Sequence, residues 1–133
     1  MNNNDLFQKV KDLKLPIDKY ALFGSAPLGI RGLRECHDID IIVTEDLWND
    51  FCKKDWDLKF SSFGNPFLCN GEIELGKDWW KPGLWDIAEL IREADIIDGL
   101  PFVKMERVLE WKRLMAREKD LKDIEIIEKF LQT

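Results

Sequence analysis

The chain has 133 residues, of which 45% are hydrophobic and 35% are charged, and its formal net charge is −6. This size and balance are typical of one globular domain and exclude a disordered chain. No segment approaches the roughly 20 apolar residues of a membrane helix, and the negative charge disfavours a general nucleic-acid coat. We therefore expect a single domain over residues 1–133 that has no membrane partner.

The N-terminus and the cysteines both favour a cytoplasmic protein. Residues 1–5 (MNNND) lack the basic and apolar regions of a signal peptide. The three cysteines, Cys36, Cys52 and Cys69, form no CxxC pair, so we expect reduced thiols rather than a disulfide framework. Cys36 adjoins the only histidine, His37, but no other soft metal ligand clusters with them in the sequence, and we interpret both as loop residues.

The first half of the chain alternates predicted helices and strands. Helical spacing of apolar residues predicts a helix over 5–14, which Pro16 ends. Residues 19–23 and 39–43 are predicted strands, since both are short and apolar and the second is rich in β-branched residues. A helix over 46–53 follows, capped by Thr44 or by Asp46.

The second half is predicted to contain short strands and then two helices. The expected elements are a strand over 56–60, a loop over 61–66, a strand-turn-strand unit over 67–75 that turns at Asn70-Gly71, a Trp-rich loop over 76–83, a helix over 84–93, a strand over 94–97, and helices over about 104–116 and 119–131. This order predicts an α+β fold, a small mixed sheet with flanking helices and a C-terminal helical pair.

An acidic pair on the second predicted strand is the strongest candidate site. Asp38 and Asp40 are two residues apart, and side chains that alternate along a strand therefore place both carboxylates on one face. Two adjacent carboxylates repel each other, and a hard cation such as Mg²⁺ relieves the repulsion. An exposed strand edge with no ligand is the alternative interpretation.

A glycine-serine turn precedes this pair. Gly24 and Ser25 end the first predicted strand, and a helix is expected to follow. Glycine permits close approach of the backbone to a ligand, and Ser25 could cap the helix while its first N–H groups face an anion. A phosphate-binding turn beside a metal-binding acid pair is what nucleotidyl transfer from a triphosphate requires.

These residues resemble a known signature. Residues 22–43, LFGSAPLGIRGLRECHDIDIIV, are similar to the motif of the polymerase-beta-like nucleotidyltransferase superfamily: an apolar residue, Gly-Ser, about a dozen residues, then acid-apolar-acid-apolar. Two departures are Pro27, where the family often has a small residue and then Arg, and Cys36-His37, where a Ser or Thr is usual. The resemblance implies a minimal nucleotidyltransferase fold that includes the C-terminal helices.

The C-terminal region resembles one branch of that superfamily, the lincosamide-type resistance enzymes and the abortive-infection nucleotidyltransferase toxins. The matching positions are Lys112, Arg117, Lys119, Asp120 and Asp123, preceded by GLPFV at 99–103. The resemblance implies that Lys112 and Lys119 bind the nucleotide together with Gly24 and Ser25. Arg117 could bind phosphate or lie on a solvated face, and the two aspartates are expected to hold helices together.

The superfamily normally has a third carboxylate on a later strand. Glu72 and Glu74 are the candidates, and we favour Glu74 because it lies between Ile73 and Leu75, as metal ligand or as catalytic base. Trp79 and Trp80 follow this strand, and either base stacking or packing beneath their loop would suit them.

The resemblance implies Mg²⁺-dependent transfer of a nucleoside monophosphate from a nucleoside triphosphate to an acceptor hydroxyl, with Mn²⁺ as an alternative metal. The sequence does not identify the acceptor, which could be a small molecule, a protein or RNA. Residues 104–122 carry seven basic and four acidic residues, and this local positive charge favours RNA. The negative net charge of the whole chain disfavours RNA. The alternative is a non-catalytic or partner-dependent nucleotide-binding module, such as a toxin–antitoxin component, acting as a homodimer or with a partner subunit.

Overall fold

The computed structural model describes residues 1–133 as helices packed on both faces of one mixed sheet. The helices are α1 (Asn3–Asp12), α2 (Ala26–Ile30), α3 (Glu45–Cys52), α4 (Ile87–Arg92), α5 (Met105–Met115) and α6 (Glu118–Leu131). The strands are β1 (Tyr20–Phe23), β2 (Ile39–Val43), β3 (Asp57–Phe60), β4 (Pro66–Asn70), β5 (Ile73–Gly76), β6 (Asp95–Ile97) and β7 (Leu100–Phe102). The predicted α+β class and the C-terminal helical pair are confirmed.

The seven strands lie in the order β3-β4-β5-β2-β1-β7-β6. β1 is antiparallel to β2, whereas β2 is parallel to β5 and β1 is parallel to β7. The remaining neighbours pair antiparallel. The central strands β5, β2 and β1 therefore bring together segments that are distant in the chain.

Alternation along the central strands divides the interior into two cores. Ile39, Ile41 and Val43 of β2 face the core that α1 and α3 cover. Ile42 faces the second core, which includes residues of α4, α5 and α6. Asp40 lies between Ile39 and Ile41 and therefore belongs to the face of this second core, where an apolar residue would otherwise be expected.

Two helices begin at residues other than the predicted ones, because capping hydrogen bonds determine where they start. α1 begins at Asn3, two residues early, because the Asn2 side chain accepts a hydrogen bond from the Asp5 N–H at 2.8 Å. α4 begins late, at Ile87, because the Asp86 carboxylate accepts from the Glu89 N–H at 3.1 Å. Thr44 is the cap position of α3, but its side chain makes no capping hydrogen bond.

A buried ionic cluster joins the last two helices. The Lys112 ammonium lies 3.3 Å from the Asp120 carboxylate and 3.0 Å from that of Asp123. Arg34 reaches Asp123 at 2.6 Å, and Arg117 reaches Asp120 at 2.7 Å. The two aspartates hold the helices together, as expected, and the Lys112 side chain is only 8% exposed.

None of the six helices combines the length and the apolar character needed to cross a bilayer.

We expect Lys112→Ala to destabilise the fold by about 3–5 kcal/mol, because it leaves two buried carboxylates short of a cation. Lys119→Ala is the matched control: Lys119 is exposed and makes no ion pair, so its loss should change the free energy of unfolding by less than about 0.5 kcal/mol. Urea unfolding of both variants measures the difference. Equal stabilities would contradict a structural role for the Lys112 cluster.

Candidate metal and nucleotide site

Three carboxylates converge where β2 pairs with β5. Asp40 and Glu74 are register partners in this parallel pair, and Asp38 directly precedes β2. One oxygen from each of the three side chains lies within 4.8 Å of the others. Asp38 is exposed, while Asp40 and Glu74 are partly buried, so the cluster is open to solvent on one side.

The choice between the two candidate third acids is decided by the turn before β5. Glu72 lies outside the strand, and its carboxylate pairs with the Lys9 ammonium of α1 at 2.7 Å. Glu74 lies inside β5 and joins Asp38 and Asp40. Glu72 thus ties a helix to the sheet, whereas Glu74 belongs to the acid cluster.

Two of the three clustered acids, Asp40 and Glu74, have raised pKa values. Burial, together with the negative charges of Asp38 and Glu74, raises the pKa of Asp40 to about 8. Burial, the charge of Asp38 and a hydrogen bond with Asp38 also raise the pKa of Glu74. In contrast, the hydrogen bond from Lys9 lowers the pKa of Glu72. Hard oxygen donors crowded in this way fit a divalent cation such as Mg²⁺.

Gly24 is packed directly against Asp40. Its φ is +63°, and a Cβ added there would overlap the Asp40 Oδ2 atom. Phe23, the residue before it, is the register partner of Asp40. Glycine is therefore needed at this position for two reasons: it adopts the positive φ without strain, and it has no Cβ that would collide with the Asp40 carboxylate.

Ser25 adopts a different local role from the predicted one. It occupies the cap position of α2, but its hydroxyl makes no capping hydrogen bond. Its carbonyl oxygen instead accepts from the N–H groups of Leu28 and Gly29, and Pro27 fits within the first turn. The hydroxyl of Ser25 is thus not used in holding the helix.

A cavity of about 510 Å³ opens beside the acids. Asp40 and Glu74 line it together with the 61–67 segment, the Trp-rich loop and the end of α5. The aromatic residues of its wall are Phe63, Phe67, Trp79, Trp80 and Trp111. The sequence predicted a loop over 61–66 followed by a strand from 67, and neither pattern indicated that this segment lines a cavity.

The tryptophan loop both packs and lines this cavity. The Trp79 ring stacks on Phe23 with centroids 4.4 Å apart and meets Trp111 edge-on at 4.9 Å. The Trp80 carbonyl accepts a hydrogen bond from the Asn65 side chain at 2.7 Å, which joins the two loops of the wall. The packing interpretation is therefore confirmed, and the same rings leave an aromatic surface facing the cavity.

The cations of the C-terminal motif differ in whether they line the cavity. Neither Lys112 nor Lys119 lines the cavity: Lys112 is buried between aspartates, and Lys119 is exposed on α6. Arg117, which lies between them in the sequence, does line it. Arg117 also holds Asp120 through Nε at 2.7 Å and through Nη2 at 3.0 Å, which fixes its guanidinium at the cavity wall.

The basic stretch 104–122 does not form a continuous cationic surface. Five of its seven basic residues make ion pairs with acids, namely Lys104, Arg107, Lys112, Arg113 and Arg117. Only Lys119 and Lys122 make none. This pairing removes most of the charge that an RNA backbone would contact.

No model of a known protein family matches this chain, and no curated protein matches it. The resemblance to nucleotidyltransferases therefore rests on the residues of the two motifs described above.

We expect Gly24→Ala to weaken Mn²⁺ binding about tenfold or more, because the new methyl group displaces the Asp40 carboxylate. Gly32→Ala is the matched control, since Gly32 also has a positive φ, +73°, but a Cβ there meets no atom within 4 Å. Both variants carry backbone strain, so only the effect on the carboxylate separates them. Isothermal titration with Mn²⁺ measures it, and equal affinities would contradict the role assigned to Gly24.

We also expect the metal-free protein to lose stability as the pH rises from about 4 to about 8. In this range folded Asp40 keeps a proton that the unfolded chain has released, because its pKa rises from 3.8 to about 8 on folding. The free energy of unfolding therefore falls with pH, by at most about 1.4 kcal/mol per pH unit.

Asp40→Asn should flatten this dependence and be more stable than the native chain near the upper end of the range. Glu72→Gln, which removes a carboxylate outside the cluster, should leave the downward slope in place. Urea unfolding in chelator at several pH values tests both variants. A native chain whose stability does not fall over this range would contradict the crowding of the three acids.

Proposed function

We propose that this protein is a metal-dependent nucleotidyltransferase, which transfers a nucleoside monophosphate from a nucleoside triphosphate to an acceptor hydroxyl. The observation that carries the proposal is the convergence of Asp38, Asp40 and Glu74 within 4.8 Å beside the Gly24 turn. The similarity of residues 22–43 to the superfamily signature supports the same assignment.

The donor set fits a small divalent cation. Asp38, Asp40 and Glu74 offer three hard oxygens, no soft ligand joins them, and no lysine or arginine forms an ion pair with them. They would hold Mg²⁺ or Mn²⁺, which when bound supplies positive charge to the triphosphate oxygens next to the transferred phosphorus.

The remaining residues bind and orient the triphosphate. Gly24 lacks a side chain that would block the approach, and the hydroxyl of Ser25 is not used in capping α2. We assign these two residues to the terminal phosphates. Arg117 is the C-terminal cation that lines the cavity, and we assign it, rather than Lys112, to the charge that develops on departing pyrophosphate.

Glu74 is suited to accept the proton of the acceptor. The acceptor oxygen attacks the α-phosphorus, the bond from that phosphorus to the bridging oxygen of the β-phosphate breaks, and pyrophosphate leaves. The hydroxyl proton passes to the Glu74 carboxylate, whose raised pKa brings it closer to neutral pH than an ordinary glutamate.

The aromatic cavity favours a small-molecule acceptor. Its volume of about 510 Å³ falls within the range of small-molecule sites, roughly 300–1,000 Å³. Its walls of Phe and Trp suit a ligand with a planar or apolar face. The ion pairing of the basic stretch leaves little free positive charge for RNA.

The test begins with binding and then measures transfer. We expect Mn²⁺ with a non-hydrolysable nucleoside triphosphate to raise the melting temperature, since a ligand of the folded state stabilises it. With each of the four triphosphates and a panel of hydroxyl-bearing small molecules, the native chain should release pyrophosphate and add the mass of one nucleoside monophosphate to an acceptor.

Asp38→Asn, Asp40→Asn and Glu74→Gln should each lower transfer about 100-fold or more, because each removes a metal ligand or the base. Glu72→Gln, with the same chemical change two residues from Glu74, should retain activity. Triphosphate binding without transfer would favour the alternative of a nucleotide-binding module. No triphosphate binding at millimolar concentration with either metal would contradict both functions.

A further inference from the structure

The sheet ends at β3, an outer strand that has one neighbour. All four residues, Asp57 to Phe60, are exposed, and β3 pairs only with β4. An outer strand leaves a row of backbone N–H and C=O groups without partners, which another strand can bind. Leu58 and Phe60 are 57% and 66% exposed, which is unusual for large apolar side chains in a small sheet.

We propose that β3 pairs antiparallel with β3 of a second copy of this chain, across a two-fold axis, and joins the two sheets. The outward-facing backbone groups of an antiparallel strand alternate along it. Two identical strands can therefore form hydrogen bonds only if the opposed residues are both odd-numbered or both even-numbered. The two-fold axis must then pass between one residue and the same residue of the second copy, so that this residue lies opposite itself.

Charge distinguishes the axes through the first three residues of β3, whereas an axis through Phe60 places neither Asp57 nor Lys59 opposite a charged residue. An axis through Asp57 places two aspartates opposite each other, and an axis through Lys59 places two lysines opposite each other. An axis through Leu58 places Asp57 opposite Lys59 of the second copy, twice by symmetry, with the two leucines in contact at the centre. Opposite charges in this position stabilise a strand pair, whereas like charges destabilise it.

The two faces of the paired strands then match in chemistry. Leu58 is the register partner of Leu68, which belongs to the core under α1 and α3. The Leu58 register also places Phe60 opposite Trp56 of the second copy, and Trp56 already packs edge-on against Phe51 at 5.2 Å. The exposed apolar side chains would thus extend this core across the axis, while the charge pairs lie on the opposite face.

The other outer strand is a poorer partner. β6 has only three residues, and the Asp95 carboxylate within it is held by Lys104 at 2.9 Å and by Arg31 at 3.3 Å. Short edge strands limit pairing. The second copy is therefore assigned to β3.

One pair of short strands buries less than the roughly 1,200–2,000 Å² of a stable interface. We therefore expect a reversible dimer, with dissociation in the range of about 10–500 µM, which sedimentation equilibrium over that concentration range detects. A native chain that stays monomeric up to the highest concentration would overturn the proposal.

Charge reversal identifies the pairing. Asp57→Lys and Lys59→Asp each place like charges opposite each other at two positions, and each should weaken the dimer about tenfold or more. An equimolar mixture of the two variants should form a heterodimer, because every opposed pair is then attractive. The double variant Asp57→Lys/Lys59→Asp should recover the native dissociation constant, because each opposed pair is again one lysine and one aspartate. With an axis through Leu58, in contrast to one through Asp57 or Lys59, each single reversal turns two attractive pairs into repulsive ones.

The controls separate pairing from net charge and from folding. Lys53→Asp changes the charge as Lys59→Asp does but lies outside β3, on an exposed position after α3, and should leave dimerisation unchanged. Urea unfolding should show that every variant is folded under the conditions of the sedimentation experiment, which separates loss of pairing from loss of folding. Single reversals that do not weaken the dimer, or a mixture that forms no heterodimer, would overturn the β3 pairing.

Discussion

The parallel pairing of β2 with β5 is the constraint on which the site depends. Its register places Asp40 beside Glu74 and brings Asp38 to the same end of the sheet. The consequence is a group of carboxylates in which burial, together with the negative charges of Asp38 and Glu74, raises the pKa of Asp40 to about 8. We expect such an arrangement to lower the stability of the metal-free protein, and it brings together three carboxylates that could hold a metal ion.

The surrounding structure is arranged to tolerate this cluster. Gly24 leaves room for the Asp40 carboxylate, and no other residue type could do so at this backbone angle without moving it. The Lys9 ammonium binds Glu72 and not Glu74, so this salt bridge neutralises a neighbouring acid rather than one of the cluster. Lys112 and Arg117 are likewise engaged with Asp120 and Asp123.

This distribution of charge explains why the C-terminal motif divides into two roles. Lys112, Asp120 and Asp123 form a buried network in which each polar group has a partner, and such a network orients helices at the cost of flexibility. For Asp120, burial acts to raise the pKa, but the hydrogen bond from Arg117 and the charge of Lys112 outweigh it, and the net effect is a lowered pKa. Arg117 connects this network to the cavity.

By itself, the sequence determined the α+β class, β2 to the residue, the C-terminal helical pair and the pairing of Asp38 with Asp40. These features depend on local patterns: alternation in a strand, helical spacing and the motif around Asp38. Only the tertiary structure decided that Glu74 rather than Glu72 joins the pair, that Lys112 is buried, and that Arg117 lines a cavity with the 61–67 segment. The reason is physical, because each of these outcomes depends on a partner at least eight residues away in the chain, and residue spacing along one segment carries no information about which distant segment packs against it.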